Sequence, residues 1–335
     1  MYDLKFKQIS IWVLLLLINI SLSAQDEKPL VVSTASIFAD MAKMIAGDEV
    51  RIKSVVPIGG DPHTYEPTPS DAQLIAKADL IIKNGLTFEG WLSELIENSG
   101  TKADVKLITE GVEAIGSQTY ANSSDPHAWM DASKGLKYIE NIKDALVKLR
   151  PELKEQFEFN YGVYRQQLED MDTYIQTEIN KIPAQQRVLI TSHDAFQYYG
   201  RRYGIRLESV LGTSTDAQVQ TSDMKRLVQV IKATGVPALF VESTINPKLL
   251  EQLAEDNGVV IGGQLYADSI GDKDSPAPSY LDMLKHNTDT LVKALSAEKK
   301  AVVAEKEESG ATNWLLWGVL GLLLIGGFIV VARQM

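Results

Sequence analysis

The sequence predicts an α/β protein with two lobes, each built on a mainly parallel sheet with flanking helices, and one long rigid helix that joins them. Two observations support this fold class: short β-branched strands alternate with helical patterns, and one long apolar stripe lies between two sets of strands. An uncharged run near the carboxyl end adds a predicted C-terminal transmembrane helix.

The chain is expected to divide into six segments along its length. They are 1–24 (signal peptide), 25–150 (N-terminal α/β lobe), 151–182 (connecting helix), 183–296 (C-terminal α/β lobe), 297–312 (linker) and 313–333 (transmembrane helix). The residues between the two ends are enough for two modest lobes or for one large domain.

The amino-terminal residues have the pattern of a secretory signal peptide. Lys5 and Lys7 precede an apolar run, and small residues follow it up to Ala24, after which we expect cleavage. An uncleaved signal anchor is the alternative, but the run is short for a membrane span. The chain contains no cysteine, so an exported form would have neither a disulfide nor a thiol for a lipid anchor.

Eight short apolar runs read as strands, four before residue 150 and four after residue 186. They are Leu30–Thr34, Arg51–Val56, Leu80–Lys83, Lys106–Thr109, Val188–Thr191, Arg206–Val210, Ala238–Glu242 and Val259–Gly262. Helical patterns separate most of them, including Ser70–Ala78, Glu89–Asn98, Ser222–Thr234 and Pro247–Asn257. This alternation is typical of parallel sheets covered by helices.

The most periodic segment lies between the two sets of strands. Its apolar residues recur at intervals of 3 or 4, at Phe157, Tyr161, Tyr164, Leu168, Met171, Ile175 and Ile179. This spacing places them on one face of a helix. Pro151 is well suited to the first turn of this helix, and Pro183 would end it. We expect one stiff helix of roughly 48 Å joining the lobes. Two shorter helices with a break near Gly162 are the alternative.

The apolar run near the carboxyl end is Trp314–Ala332, which contains 19 residues and no charge. As a helix it would be roughly 28 Å long, close to the ~30 Å of a bilayer core. Arg333 follows it and acidic residues precede it, so the positive-inside rule places the globular part outside the cytoplasm. We therefore expect an exported protein, anchored by this helix, with its lobes in the periplasm or on the outer face of the cytoplasmic membrane.

The charge of the chain excludes one class of partner. The formal net charge is −11 at pH 7, and no basic stripe is present. A protein that binds nucleic acid needs a basic surface to neutralise phosphates, so we expect no nucleic-acid partner.

Three of the four histidines follow a regular pattern. Asp-Pro-His occurs twice, ending at His63 and at His127, and His193 directly follows a predicted strand. The intervals between these histidines are 64 and 66 residues, about two strand–helix units each. Because ligands bind at the carboxyl ends of parallel strands, we expect the three imidazoles to meet at one transition-metal site.

A fourth ligand is expected from the second half of the chain. Asp268 follows the last predicted strand and is the first choice, whereas Glu242, Asp216 and Asp194 are the alternatives. Asp194 and Asp216 suit helix caps or solvated charges better, and Glu242 could orient a ligand without binding the metal. The fourth histidine, His286, lies in a late polar helix and is expected at the surface.

Four motifs together resemble the metal-binding solute-receptor family of zinc and manganese ABC importers. They are DPHTYEPTPSD at 61–71, DPHAWMD at 125–131, SHDAF at 192–196 and LYADS at 265–269. The resemblance covers nearly all of residues 29–295. It implies two α/β lobes joined by a long rigid helix with the metal between them, and an ABC permease with its ATPase subunit as partners. It also implies four metal ligands, which are His63, His127, His193 and Asp268.

Two departures from the family pattern bear on which metal is bound. Zinc-specialised members often have a long histidine-rich loop before the second ligand, but residues 116–124 are short and contain no histidine. Manganese receptors often have glutamate where this chain has His193. Because divalent-ion affinity favours zinc over manganese at equal availability, we expect Zn²⁺ first, Mn²⁺ second and Fe²⁺ third.

The sequence thus predicts a monomeric metal receptor and not an enzyme. Four protein ligands leave no open position for an activated water, which a metallohydrolase needs. A membrane-anchored metallohydrolase, using the same histidines with Glu242 or Asp194 as general base, is the alternative. A metal-stabilised adhesin is a third interpretation.

Overall fold

The computed structural model describes residues 27–116, 123–216 and 219–296, and parallel strands alternate with helices through them. All eight predicted strands are present, as β1 (Leu30–Ser33), β2 (Arg51–Ser54), β3 (Leu80–Lys83), β4 (Asp104–Leu107), β5 (Val188–Thr191), β6 (Arg206–Ser209), β7 (Ala238–Glu242) and β8 (Val260–Leu265). The α-helices of the described residues are α1 (Ser36–Ala46), α2 (Pro69–Ala76), α3 (Leu92–Ser99), α4 (Ala132–Leu149), α5 (Lys154–Ile179), α6 (Gln197–Tyr203), α7 (Thr221–Thr234), α8 (Lys248–Asp256) and α9 (Tyr280–Leu295). The predicted α/β class is confirmed.

The amino-terminal sheet has four parallel strands in the order β2-β1-β3-β4. Every residue of β1 is buried, as expected for a central strand covered on both faces, whereas β2 at the edge is partly exposed along its length. Because the strands are parallel, the loops that follow β1, β2 and β3 all leave from one edge of the sheet.

The carboxyl-terminal half contains two parallel pairs, β5 with β6 and β7 with β8. The strands β5 and β7 lie beside each other, and β7 is buried along its whole length. The loops after β5, β7 and β8 therefore open at a common edge, like those of the first sheet. This arrangement places His193, after β5, and Asp268, after β8, at the same edge, with β7 between their strands.

A single continuous helix, α5, lies between the two sets of strands. It contains 26 residues, so it is about 39 Å long. The predicted apolar stripe forms its inner face, where Phe157, Tyr164, Leu168, Ile175 and Ile179 are buried and the remaining two members are partly buried. The single long helix is confirmed, and the alternative with a break near Gly162 is wrong. The helix is shorter than the expected roughly 48 Å, because residues Pro151–Leu153 form a 3₁₀ turn and the helix ends at Ile179.

The largest hydrophobic core draws on both halves of the chain. It includes Phe38 and Trp129 from the first half, Leu168 from α5, and Phe196 and Tyr280 from the second. Helix α5 packs against α1 and α4 on one side and against α9 on the other. The boundaries of the two lobes, at 25–150 and 183–296, stay predictions.

The predictions for the two ends of the chain lie outside the described residues. These are the signal peptide at 1–24, the linker at 297–312 and the transmembrane helix at 313–333. No helix in the described part combines the length and the apolar character of a membrane span.

Candidate metal centre

The structure brings His63, His127, His193 and Asp268 together at one point. His63 lies in the loop after β2, His127 precedes α4, His193 follows β5 and Asp268 follows β8. One potential ligand atom from each side chain lies within 4.8 Å of those of the other three. We call these four residues the four-residue cluster. Residues more than 200 positions apart meet in it because both sheets present the ends of their strands to one junction.

The ligand atoms of the cluster have nearly the spacing of a tetrahedral zinc site. Nε2 of His127 lies 3.2 Å from Nε2 of His63 and 3.4 Å from Nε2 of His193. The oxygens of Asp268 lie 3.4 Å from Nε2 of His127, 3.2 Å from that of His193 and 3.8 Å from that of His63. Four ligands at roughly 2.0–2.1 Å from a central ion would be about 3.3 Å apart.

Burial of the cluster makes a cation the natural occupant. The side chains of His127, His193 and Asp268 are 0% exposed and that of His63 is 2% exposed. Neither oxygen of Asp268 accepts a well-directed hydrogen bond from any described residue, although imidazole nitrogens lie close by. Burying a carboxylate without a partner costs at least ~2 kcal/mol of folding free energy. A bound divalent ion would remove this cost, and the three imidazoles and one carboxylate suit such an ion.

Asp125 fixes the ring of His127. Its Oδ1 accepts hydrogen bonds from the backbone N–H of His127, at 2.9 Å, and from Nδ1, at 2.8 Å. The second bond places the proton on Nδ1 and leaves Nε2 to face the cluster, as a metal-binding histidine requires. In the first Asp-Pro-His, Asp61 accepts only the backbone N–H of its histidine, also at 2.9 Å, and does not reach the ring of His63. The repeat is therefore a pair of Asx turns, of which one also orients its imidazole.

Glu242 has the same role for His193. Oε1 accepts the backbone N–H of His193 at 2.8 Å, and Oε2 lies 2.7 Å from Nδ1. Glu242 is thus behind the imidazole and outside the cluster. Asp194 is buried but accepts from Gln197, and Asp216 is exposed, so neither of these alternatives reaches the cluster.

Within the cluster, the pKa of one histidine is lowered and the pKa values of the other two are raised. Burial lowers the pKa of His63 to about 3, despite the nearby charge of Asp268. Burial also acts against His127, but Asp125 and then Asp268 outweigh it and raise its pKa to about 9. His193 likewise has a pKa well above its ordinary value, because Glu242 and Asp268 outweigh burial. Burial would raise the pKa of Asp268, yet the imidazoles hold it well below its ordinary value.

Aromatic side chains form the floor of the cluster. Phe88 packs edge-on against His63, with ring centroids 5.0 Å apart, and Trp129 packs edge-on against His127 at 5.2 Å. Phe88 and Trp129 also contact each other, at 4.9 Å. The sequence analysis did not identify Asp125, Phe88 or Trp129. The repeat of aspartate in Asp-Pro-His was a signal for Asp125, whereas no local pattern marks Phe88.

The fourth histidine, His286, was expected at the surface and is partly exposed. Its Nε2 donates to the carbonyl of Gln264 at 3.0 Å, in a hydrogen bond that is exposed to solvent. Its ring also packs edge-on against Tyr266, at 5.5 Å between centroids. It lies apart from the four-residue cluster and has a structural contact instead.

A buried set of three imidazoles and one carboxylate, enclosed between two parallel-sheet halves, is typical of a protein that binds a divalent transition metal. Comparison with known proteins agrees. The family model described as zinc-uptake complex component A, periplasmic (ZnuA), matches residues 31–294. The chain belongs to this family, the metal-binding receptors of zinc and manganese ABC importers.

Two curated relatives are both named for manganese. The manganese-binding lipoprotein MntA of Halalkalibacterium halodurans is 36% identical over 266 residues, which cover 79% of this chain and 88% of the relative. The manganese ABC transporter substrate-binding lipoprotein PsaA of Streptococcus anginosus is 34% identical over 282 residues, 82% of this chain and 91% of the relative. These relatives are receptors and not enzymes, and this chain is a receptor as well.

Solved structures show the same fold. The periplasmic zinc-binding protein TroA of Treponema pallidum superimposes with a TM-score of 0.77 and 34% identity, over 81% of this chain and 100% of the other. A manganese-bound periplasmic metal-binding protein of Candidatus Liberibacter asiaticus has a TM-score of 0.73 and 30% identity, over 80% and 100%. The neighbours thus include both a zinc-binding and a manganese-bound protein.

Proposed function

We propose that this protein captures a divalent metal ion with His63, His127, His193 and Asp268 and delivers it to the permease of an ABC importer. The observation that supports this most directly is the convergence of four ligand atoms, from four loops in both halves, into one buried cluster. The cluster supplies a complete shell of four protein ligands, which suits capture of a cargo ion more than activation of a water.

Zinc is the proposed cargo, with manganese second and iron third. The 3.2–3.8 Å spacing of the ligand atoms is close to that of a tetrahedral site with short bonds. Nitrogen-rich ligand sets also favour zinc over manganese at equal availability. Both oxygens of Asp268 face the imidazoles, so a larger ion could take a second bond from the same carboxylate.

To deliver the metal ion, the protein must open the shell of four ligands that encloses it. We infer that docking on the permease, which is driven by its ATPase subunit, displaces a loop that carries a ligand. His63 is the best candidate because its loop carries Ile58, which is 50% exposed, and its own imidazole is the least buried of the four side chains. Helix α5 and the shared core would restrict the accompanying motion of the two halves.

For the location of the protein, we propose export through the predicted signal peptide and anchoring by the predicted helix at 313–333. The periplasmic and lipoprotein relatives support export. The chain has no cysteine to carry a lipid, and the uncharged run Trp314–Ala332 would provide an alternative anchor. The receptor is proposed to act as a monomer.

The test is metal analysis of the full chain purified without added metal, followed by competition between zinc and manganese. We expect about one divalent ion per chain in the wild type and its loss in His63→Ala and in His127→Ala, because each removes one ligand of four. His286→Ala is the matched control, since this histidine lies outside the cluster, and it should keep its ion. Retention of the ion in both cluster variants would refute the proposed site.

A further inference from the structure

One buried hydrogen bond links the segments that carry two of the four ligands. Nε1 of Trp129 donates to the carbonyl of Ala267 at 2.9 Å, across 138 positions of sequence. Trp129 is two residues after His127, and Ala267 directly precedes Asp268. Both partners are 0% exposed, so no water competes for the bond. The contact therefore ties a ligand of the first half to a ligand of the second.

The indole that makes this bond is itself held from several sides. Phe38 packs edge-on against it at 5.3 Å, and Phe88 does so at 4.9 Å. The hydroxyl of Tyr280, at the start of α9, donates to the backbone carbonyl of Trp129. Because the protein interior is close-packed, the indole cannot move without displacing these neighbours.

A second tryptophan makes the same kind of hydrogen bond, to the loop that carries His63. Nε1 of Trp91 donates to the carbonyl of Pro62 at 2.8 Å, but Trp91 is only partly buried. This bond connects two segments of the first half and does not reach Asp268. The chain thus contains an internal comparison for the Trp129 bond.

We propose that Trp129 is a positioning residue that sets the separation of His127 and Asp268 and thereby makes the cluster favour an ion with short ligand bonds. In the structure Nε2 of His127 and Oδ1 of Asp268 are 3.4 Å apart, near the ~3.3 Å that zinc requires. An ion with longer bonds, such as manganese, needs these two segments farther apart, and the bond to Ala267 resists that change. The inference rests on the proposed function, since it takes the four residues as ligands.

The experiment compares the affinities for zinc and manganese in the full chain carrying Trp129→Phe. This change keeps an aromatic ring and removes the N–H donor. The segment that carries Asp268 therefore loses its hydrogen bond to residue 129. We expect the zinc affinity to fall about tenfold, in the range seen when groups that orient metal ligands are removed, and the manganese affinity to fall much less. The ratio of zinc to manganese affinity therefore decreases. The visible spectrum of bound Co²⁺ should change as well, because it reports the geometry of the ligand shell.

Trp91→Phe is the comparison variant. It removes the same donor from the contact that holds the His63 loop but does not alter the bond between Trp129 and Ala267, so both affinities should fall alike and their ratio should stay the same. Tyr199→Phe is the control, because it removes a buried hydroxyl that contacts Thr288 and none of the four proposed ligands, and it should change neither affinity. Should Trp129→Phe fail to fold, the benzothiophene analogue of tryptophan at position 129 keeps the ring shape and removes only the N–H.

Equal losses for both metals, or an unchanged ratio, would overturn the role of Trp129 while leaving the metal site intact. Failure of the wild type to bind either metal would overturn the proposed function, and with it this inference.

Discussion

At the scale of single residues, the two copies of Asp-Pro-His have different roles despite identical sequence. Asp61 and Asp125 both accept the backbone N–H of their histidine, but only Asp125 also reaches the imidazole. The second carboxylate oxygen of Asp61 instead accepts from Thr215, at 2.5 Å, in the other half of the chain. The tripeptide therefore determines a local turn, and the surroundings determine how its aspartate is used.

The pKa values of the cluster predict how metal capture depends on pH. Unperturbed imidazoles would begin to compete with the metal only near pH ~6.5. In this structure Asp125 and Asp268 raise the pKa of His127 to about 9 against the effect of burial, and Glu242 and Asp268 raise that of His193. Both rings thus hold a proton more firmly than a free imidazole does, and a binding ion must displace those protons.

We therefore expect the association constant for zinc to fall as the pH falls from about 8 to 6, by between tenfold and a hundredfold per pH unit, since one or two protons are released on binding. Calorimetry in buffers of different ionisation enthalpy would measure the proton release directly. His63, whose pKa burial lowers to about 3, should contribute nothing in this range. An affinity that is constant between pH 6 and 8 would contradict the assignment.

At the scale of elements, close packing of helices constrains one of two helical glycines and leaves the other unconstrained. On α4, a Cβ at Gly135 would lie 2.6 Å from the hydroxyl of Tyr280, which is already bonded to Trp129. On α5, a Cβ at Gly162 would meet nothing within 4 Å. The two positions are both helical, so they differ mainly in the space beside them.

Alanine at these two positions should have opposite effects on stability. Gly162→Ala should raise the free energy of unfolding by about 0.5–1 kcal/mol, because alanine loses less backbone entropy in a helix. Gly135→Ala should lower it by roughly 1–3 kcal/mol, because the clash with Tyr280 exceeds the same gain. Chemical denaturation of the metal-free proteins would measure both. A higher free energy of unfolding for Gly135→Ala would show that α9, which carries Tyr280, moves away from the new methyl group at little energetic cost.

At the scale of the whole molecule, the shared core makes a wide opening of the two halves costly. One hydrophobic cluster includes residues from α1, α4, α5 and α9, so separating the halves would expose them to water. Small movements of loops or of packed helices remain available. This picture differs from that of two independent lobes on a flexible hinge.

The expected motion on metal binding can be measured with a pair of spin labels. The chain has no cysteine, so Lys77→Cys in the first half and Lys225→Cys in the second provide unique exposed attachment sites. We expect the mean distance between the labels to change by no more than about 2 Å when zinc is added, as in other preorganised complexes. A change of the size that accompanies hinge closure would refute the restraint assigned to α5 and the core.

The sequence by itself was sufficient for the fold class and for the three histidines of the cluster. Strands and helices are local patterns, and the positions of β1 to β8 and of α5 follow from period and composition. The three histidines could be inferred because His193 follows a strand and the other two lie in loops between a strand and a helix, where a parallel sheet gathers its ligands. For Asp268 the sequence offered a ranking among four acidic residues, since carboxylates at strand ends are also common as caps.

Tertiary structure was needed to decide which acidic residue faces the cluster and which ones orient its histidines. Glu242 ends β7 and Asp268 follows β8, yet one contacts Nδ1 of His193 and the other faces Nε2. That difference depends on how β5, β7 and β8 lie beside one another, which no local pattern encodes. The bond between Trp129 and Ala267 likewise exists only because the two halves pack together. Contacts between residues far apart in sequence depend on the packed arrangement of the whole chain, whereas hydrophobic period acts within a few residues.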